Sequence, residues 1–89
     1  MDNPYKILYT KHGLKDKQIA FNAGYDKKIE KILEALKENP FASYPPCEKL
    51  IGDLSGAYSR RINSQHRVVY QVYIKERIVK IISIWLHYE

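Results

Sequence analysis

From Tyr58 onward the chain is a succession of strand-type segments joined by connections too short to contain a helix, and this feature limits the possible folds most strongly. Three segments follow one another, Tyr58 to Ile62, Arg67 to Lys75 and Ile78 to Tyr88, each rich in β-branched and aromatic residues. A parallel crossover needs a dozen or more residues, so neighbours this closely spaced are expected to form an antiparallel meander. In the middle segment Val68, Tyr70, Val72 and Ile74 share one parity and predict one apolar face. In the last, Ile78, Ile82, Ile84 and Leu86 fall on one side and Val79, Ile81 and Trp85 on the other, which predicts a central strand.

Upstream, Tyr5 to Thr10 has strand character, and from Lys11 to about Ala23 the residues Leu14, Ala20 and Phe21 recur at helical spacing, with Gly24 as a terminator. A second helix follows Asp26 as its cap: Ile29, Ile32, Leu33 and Leu36 make an i, i+3, i+4, i+7 stripe that Pro40 must end. Phe41 to Gly56, punctuated by Pro45, Pro46 and Gly52, predicts a loop with at most short extended pieces. The expectation is an α+β fold over residues 1–89, one domain without repeats. Two N-terminal helices would pack on one face of a mainly antiparallel sheet, leaving the Arg and Tyr residues of the other face for a ligand.

A chain of 89 residues buries only about 60% of the surface its unfolded form exposes, so modest stability is expected. Its single cysteine, Cys47, excludes an intrachain disulfide and a Cys-based metal site. The start, Met1-Asp2-Asn3-Pro4, lacks the apolar core of a secretory signal, and the apolar stretch Ile78 to Tyr88 is interrupted by Lys80. It also falls short of the roughly 20 residues of a membrane helix. A soluble cytoplasmic protein is expected. The net charge of +5 and pI near 9.3 favour polyanionic partners, and Arg60, Arg61 and Arg67 lie close in sequence to Tyr58 and Tyr70, combining phosphate-binding groups with rings suited to stacking on bases.

RNA can be cut without metal or cofactor, because its own 2′-hydroxyl can attack the adjacent phosphate. The protein must supply a base, a cation for the phosphorane and an acid for the departing 5′-oxygen. Glu48, Arg67 and His87 have the right chemistry, since a carboxylate near ~4.3 is ionised at neutral pH and an imidazole near ~6.5 is still partly protonated. Spacing alone does not specify this set. A glutamate in a polar loop is ordinarily just solvated. Arg67 can equally pair with Glu76 across the meander, a contact worth about 0.2–1 kcal/mol if exposed. His87 can be a half-exposed strand residue, and Tyr88 can be core packing with a wet hydroxyl. His12 and His66 lack the partner spacing of a metal site and fit structural or surface roles. Cys47 lacks the local histidine a thiol nucleophile wants.

Together, Leu54-Ser55-Gly56, Tyr58-Ser59-Arg60-Arg61-Ile62, His66-Arg67-Val68-Val69-Tyr70 and His87-Tyr88 resemble the YoeB/Txe ribonucleases. The match extends in order through Tyr9-Thr10, Asn39-Pro40-Phe41 and Pro46-Cys47-Glu48, nearly the whole chain. The resemblance implies a RelE-like fold and cleavage of messenger RNA in the ribosomal A site. In that setting Glu48 is the general base, Arg67 holds the phosphate, His87 is the general acid and Tyr88 orients or stacks on the substrate. Arg61 would help hold phosphate, with Arg60 and Lys49 as further RNA contacts.

Two departures from the family pattern bear on this. Ile51 stands where a lysine is common, with Lys49 close enough to substitute, and Glu89 follows the His-Tyr pair. The resemblance further implies an acidic YefM-like antitoxin whose disordered segment folds on binding, the ribosome as partner, and a homodimer. Two other functions fit a basic domain of this type. One is a ParE-like toxin that binds DNA gyrase, and the other is a binder that blocks ribosomes by occupancy; neither needs the Glu48, Arg67, His87 and Tyr88 set.

Overall fold

A computed structural model of the chain describes residues 4–41, 47–49, 56–63 and 66–84. Strand β1 (Lys6–Tyr9) leads into helix α1 (Lys11–Ala20), a π-type turn (Phe21–Tyr25) and helix α2 (Asp26–Glu38). Strands β2 (Cys47–Lys49), β3 (Tyr58–Arg61), β4 (Arg67–Tyr73) and β5 (Ile78–Ile84) follow. The sheet runs in the order β1-β5-β4-β3-β2. The pairs from β2 to β5 are antiparallel, while β1 joins β5 in parallel. The expected α+β architecture is therefore present, and β5 lies between two neighbours as its apolar parities predict.

The two expected helices are joined into one helical run with a break in direction. Gly24 sits at φ 93°, ψ 10°, a left-handed conformation that Gly adopts at little cost. The cap assignment also changes. Tyr25 occupies the position before α2, and Asp26 is its first helical residue, where a carboxylate meets the positive end of the helix dipole. The apolar stripe is as expected: Ile29, Ile32, Leu33 and Leu36 are buried and join Val68, Tyr70, Val79 and Ile81 in the core. After Asn39 the chain turns, with Asn39 Oδ1 accepting the Phe41 N–H at 3.0 Å.

Helix α1 takes over from β1 along the edge of β5. Thr10 caps α1, its hydroxyl accepting from the Gly13 N–H at 2.9 Å. The same hydroxyl donates to the Ile82 carbonyl at 2.9 Å, and the Thr10 N–H bonds the Ile81 carbonyl at 3.0 Å. Gly13 permits this close approach, because a Cβ there would lie 2.4 Å from the Ile81 carbonyl oxygen.

Two parity expectations are corrected. Ile74 is 61% exposed because β4 ends at Tyr73 and Ile74 begins the turn into β5. In β5, Val79, Ile81 and Ile84 are all core residues although Ile84 has the opposite parity. The reason is a bulge: Val69 pairs Ser83 but Tyr70 pairs Ile81, so Ile82 is an extra residue that resets the alternation. Trp85 and Leu86 lie outside the described residues.

Candidate functional site

Strand parity divides the basic residues of β3 and β4 between the two faces of the sheet. Tyr58 and Arg60 share the parity that pairs with Tyr70 and Val68, on the core side. Arg60 has no exposed surface. Its Nε donates to the Tyr70 hydroxyl at 3.2 Å and its Nη2 to the Pro40 carbonyl at 3.2 Å, while the Tyr70 hydroxyl itself donates to that carbonyl at 2.9 Å. Arg60, expected to contact RNA, is placed by the structure where its guanidinium fastens β3 and β4 to the chain after α2. The rings beside it are occupied as well. Tyr58 stacks on Tyr70 with centroids 5.9 Å apart and receives Phe41 edge-on at 5.4 Å, so the expected base-stacking platform is core packing.

Arg61 and Arg67 have the other parity and form a cross-strand pair. Arg61 is exposed and Arg67 half-buried. Arg67 Nη1 donates to the Ser59 hydroxyl at 3.4 Å, and Ser59 is fully buried. The alternative pairing of Arg67 with Glu76 is not made, because Arg67 opens β4 whereas Glu76 sits in the turn beyond its far end. Two always-charged guanidinium groups directly opposite one another concentrate positive charge at one point on the sheet, an arrangement that favours a bound anion.

Strand β2 brings Glu48 and Lys49 to this end of the sheet: Glu48 stands opposite Ser59 and Lys49 opposite Tyr58. Ser59, in turn, is opposite Val69. Glu48 is therefore one strand away from the residue that Arg67 touches. His87 and Tyr88 lie outside the described residues, as do Ile51 and Glu89.

Two residues that sequence reasoning passed over have defined contacts here. Ser59 is the hydroxyl on Arg67, and its parity with Arg61 was the available signal. Asp16, on α1, accepts the Ile84 backbone N–H at 3.1 Å and lies 3.2 Å from His12 Nε2. His66 is buried edge-on to Tyr25, consistent with a structural role. A groove built from β1, α1 and α2, lined by Tyr5, Lys6, Tyr9, Lys17, Phe21 and Leu33, contains none of the expected site residues. Among the described residues no helix is long and apolar enough to cross a membrane.

The architecture and the sequence both have known counterparts. The family model of the YoeB-like toxins of bacterial type II toxin-antitoxin systems matches residues 9–88. A Toxin YoeB of Synechocystis sp. is 43% identical over 63 residues, which is 71% of each chain. The YoeB/ParE toxin from Agrobacterium tumefaciens superposes with a TM-score of 0.84 at 30% identity, covering 93% of this chain and 99% of its own. The toxin of the YoeB-YefM complex from Staphylococcus aureus does so with a TM-score of 0.80 at 32% identity, covering 94% and 98%. The expected RelE-like fold is the one found.

Proposed function

Because this chain belongs to the YoeB-like toxins of bacterial type II toxin-antitoxin systems, we propose that it is a cytoplasmic endoribonuclease that cleaves messenger RNA in the ribosomal A site. The observation that carries the proposal is the Arg61–Arg67 cross-strand pair, with Glu48 on the adjacent strand opposite Ser59. A pure binder gains nothing from a glutamate on the strand next to a cationic pair. A nuclease needs both, one to take a proton and the other to hold the charge that develops on phosphorus.

In the proposed reaction Glu48 removes the proton of the 2′-hydroxyl, whose oxygen attacks the neighbouring phosphorus. The bond to the 5′-oxygen breaks, and His87 protonates that oxygen. The products are a 2′,3′-cyclic phosphate and a free 5′-hydroxyl, with one proton taken up and one released. Arg67, steadied by Ser59, holds the non-bridging oxygens, and Arg61 adds a second cation on the same face. Tyr88 orients the substrate, and Lys49 extends the contact along the RNA. The toxin of the Staphylococcus aureus complex is bound to YefM, and a YefM-like antitoxin is the partner proposed for this chain. Its acidic segment would neutralise the same cations.

Primer extension on a defined messenger RNA, with and without translating ribosomes, tests the proposal. New 5′ ends at A-site codons are expected only with ribosomes, and Glu48→Ala and His87→Gln should abolish them. Arrest of translation without cleavage would replace the nuclease with an occupancy mechanism, and normal cleavage by both variants would replace Glu48 and His87 with a different catalytic set.

A further inference from the structure

Helices α1 and α2 cover one face of the sheet, where Ile7, Tyr9, Val72, Val79 and Ile81 belong to the core or pack against it. Their neighbours of opposite parity, Lys6, Leu8, Gln71, Tyr73, Ile78 and Lys80, lie on the other face. That is also the face of Arg61 and Arg67. β4 alternates without interruption from Arg67 through Val69 and Gln71 to Tyr73, since the extra residue of the bulge is in β5. The face therefore has two ends, and a strand of seven residues sets Arg67 and Tyr73 about 20 Å apart.

The far end is built around one aromatic ring. The Tyr73 hydroxyl donates to Gln71 Oε1 at 3.1 Å, and Lys80 Nζ lies 5.3 Å from the ring centroid. Gln71 and Lys80 are register partners across β4 and β5, as are Tyr73 and Ile78. The ring is thus fixed at its hydroxyl and flanked by an ammonium, yet Tyr73 remains 38% exposed. Leu8, opposite Lys80 on β1, is 43% exposed, and the exposed Lys6 adds a second ammonium. None of these six side chains is acidic. An accessible ring with cations beside it suits single-stranded RNA, because the ring can stack on a base while an ammonium meets the adjoining phosphate. Continuity with the Arg61–Arg67 pair on one face makes the same strand of RNA the occupant.

We propose that the Tyr73–Lys80 end of this face is a second contact for the messenger RNA, stacking on a base a few nucleotides from the phosphate held by Arg61 and Arg67. This rests on the proposed cleavage of messenger RNA at that pair. A contact so far from the reacting bond adds affinity for the message and leaves the chemical step alone.

The test is cleavage on programmed ribosomes, with a set of messages from which one base at a time has been removed near the A site, leaving the sugar and its phosphate. The half-saturating toxin concentration and the maximal single-turnover rate are measured for the parent, Tyr73→Ala, Tyr73→Phe and Lys80→Gln. Tyr73→Thr, which suits a strand but has no ring, serves if Tyr73→Ala does not fold.

On the intact message Tyr73→Ala should raise the half-saturating concentration by at least about fivefold, with the maximal rate within about twofold of the parent. Tyr73→Phe keeps the ring and should stay near the parent. For the parent, one abasic position should cause a loss of the same size, and at that position Tyr73→Ala should add nothing further. Lys80→Gln should flatten the slope of log affinity against log salt by about 0.7, the share of one phosphate on a single strand. An unchanged slope would overturn the role of Lys80. If Tyr73→Ala handles every message like the parent, or if its deficit is equal on all of them, the contact with the message is overturned while the nuclease stands. An equal deficit would assign this face to the ribosome instead. If the parent cleaves no message, the nuclease reading falls, and this contact with it.

Discussion

Arg61 and Arg67 stand directly opposite one another across β3 and β4, and the Arg67 guanidinium reaches the Ser59 hydroxyl. In the proposed reaction the planar guanidinium of Arg67 meets a phosphate with a fork geometry that a lysine cannot imitate. Arg67→Lys should therefore lose nearly as much single-turnover cleavage as Arg67→Ala, on the order of a hundredfold. Arg61→Ala, on an exposed position, should lose less. A lysine variant with near-parent rates would show that only net charge matters at this position.

The buried Arg60–Tyr70–Pro40 group predicts the opposite pattern. Tyr70→Phe should lower the unfolding free energy by about 1–2 kcal/mol, and Arg60→Ala by more, because each removes hydrogen bonds from groups that water cannot reach. The two losses should not add, with a coupling above about 0.5 kcal/mol in a double-mutant cycle read by urea unfolding. Cleavage per folded molecule should change little for Arg60→Met. A large loss of ribosome binding in that variant, with folding intact, would restore Arg60 to the RNA surface.

Replacing glycine by alanine should destabilise at two positions for different reasons. Inside a helix such a change ordinarily gains about 1 kcal/mol, yet at Gly13 the new methyl would sit against the Ile81 carbonyl and push α1 off β5. A net loss of about 1–3 kcal/mol is expected. At Gly24 nothing lies within 4 Å of the added atom, and only the backbone at φ +93° objects. The loss there should be about 1 kcal/mol, and smaller for Gly24→Asn, which tolerates left-handed geometry better. Thermal melts of the three variants provide the comparison, and a stabilised Gly13→Ala would contradict the packing described for α1.

Growth offers a check on the toxin itself. Induction of the chain alone should arrest bacterial growth, and co-expression of its YefM-like antitoxin should restore it. At equal soluble expression, Glu48→Ala should be harmless while still co-purifying with the antitoxin. Equal growth with and without the antitoxin would count against a toxin.

What sequence periodicity could reveal depended on the length of each element. The stripe Ile29, Ile32, Leu33, Leu36 and the three late strands are long enough to show their period, and the structure has them where expected. Strand β2 is three residues long, too short to show an alternation, and it is recognised only through its pairing with β3. Arg60 and Arg61 look equivalent in composition, but adjacent strand residues face opposite ways, and the alignment of Arg60 with Tyr58 was the clue to its burial. The bulge at Ile82 carries no sequence mark, so the parity of Ile84 was misassigned. Asp16 was least legible, because its partner is a backbone amide 68 positions away that only the parallel β1–β5 pairing brings near.

The strand order has a kinetic consequence during synthesis. β5 is made last of the described strands yet lies between β1 and β4, and it supplies the edge on which α1 rests. Until Ile78–Ile84 has been made, β1 has no strand to pair with and the core lacks Val79, Ile81 and Ile84. Pairings this distant in sequence form slowly, and chains emerge at about 5–20 residues per second. A nascent chain stopped short of β5 cannot complete this sheet, so no folded copy exists until Ile78–Ile84 has been made.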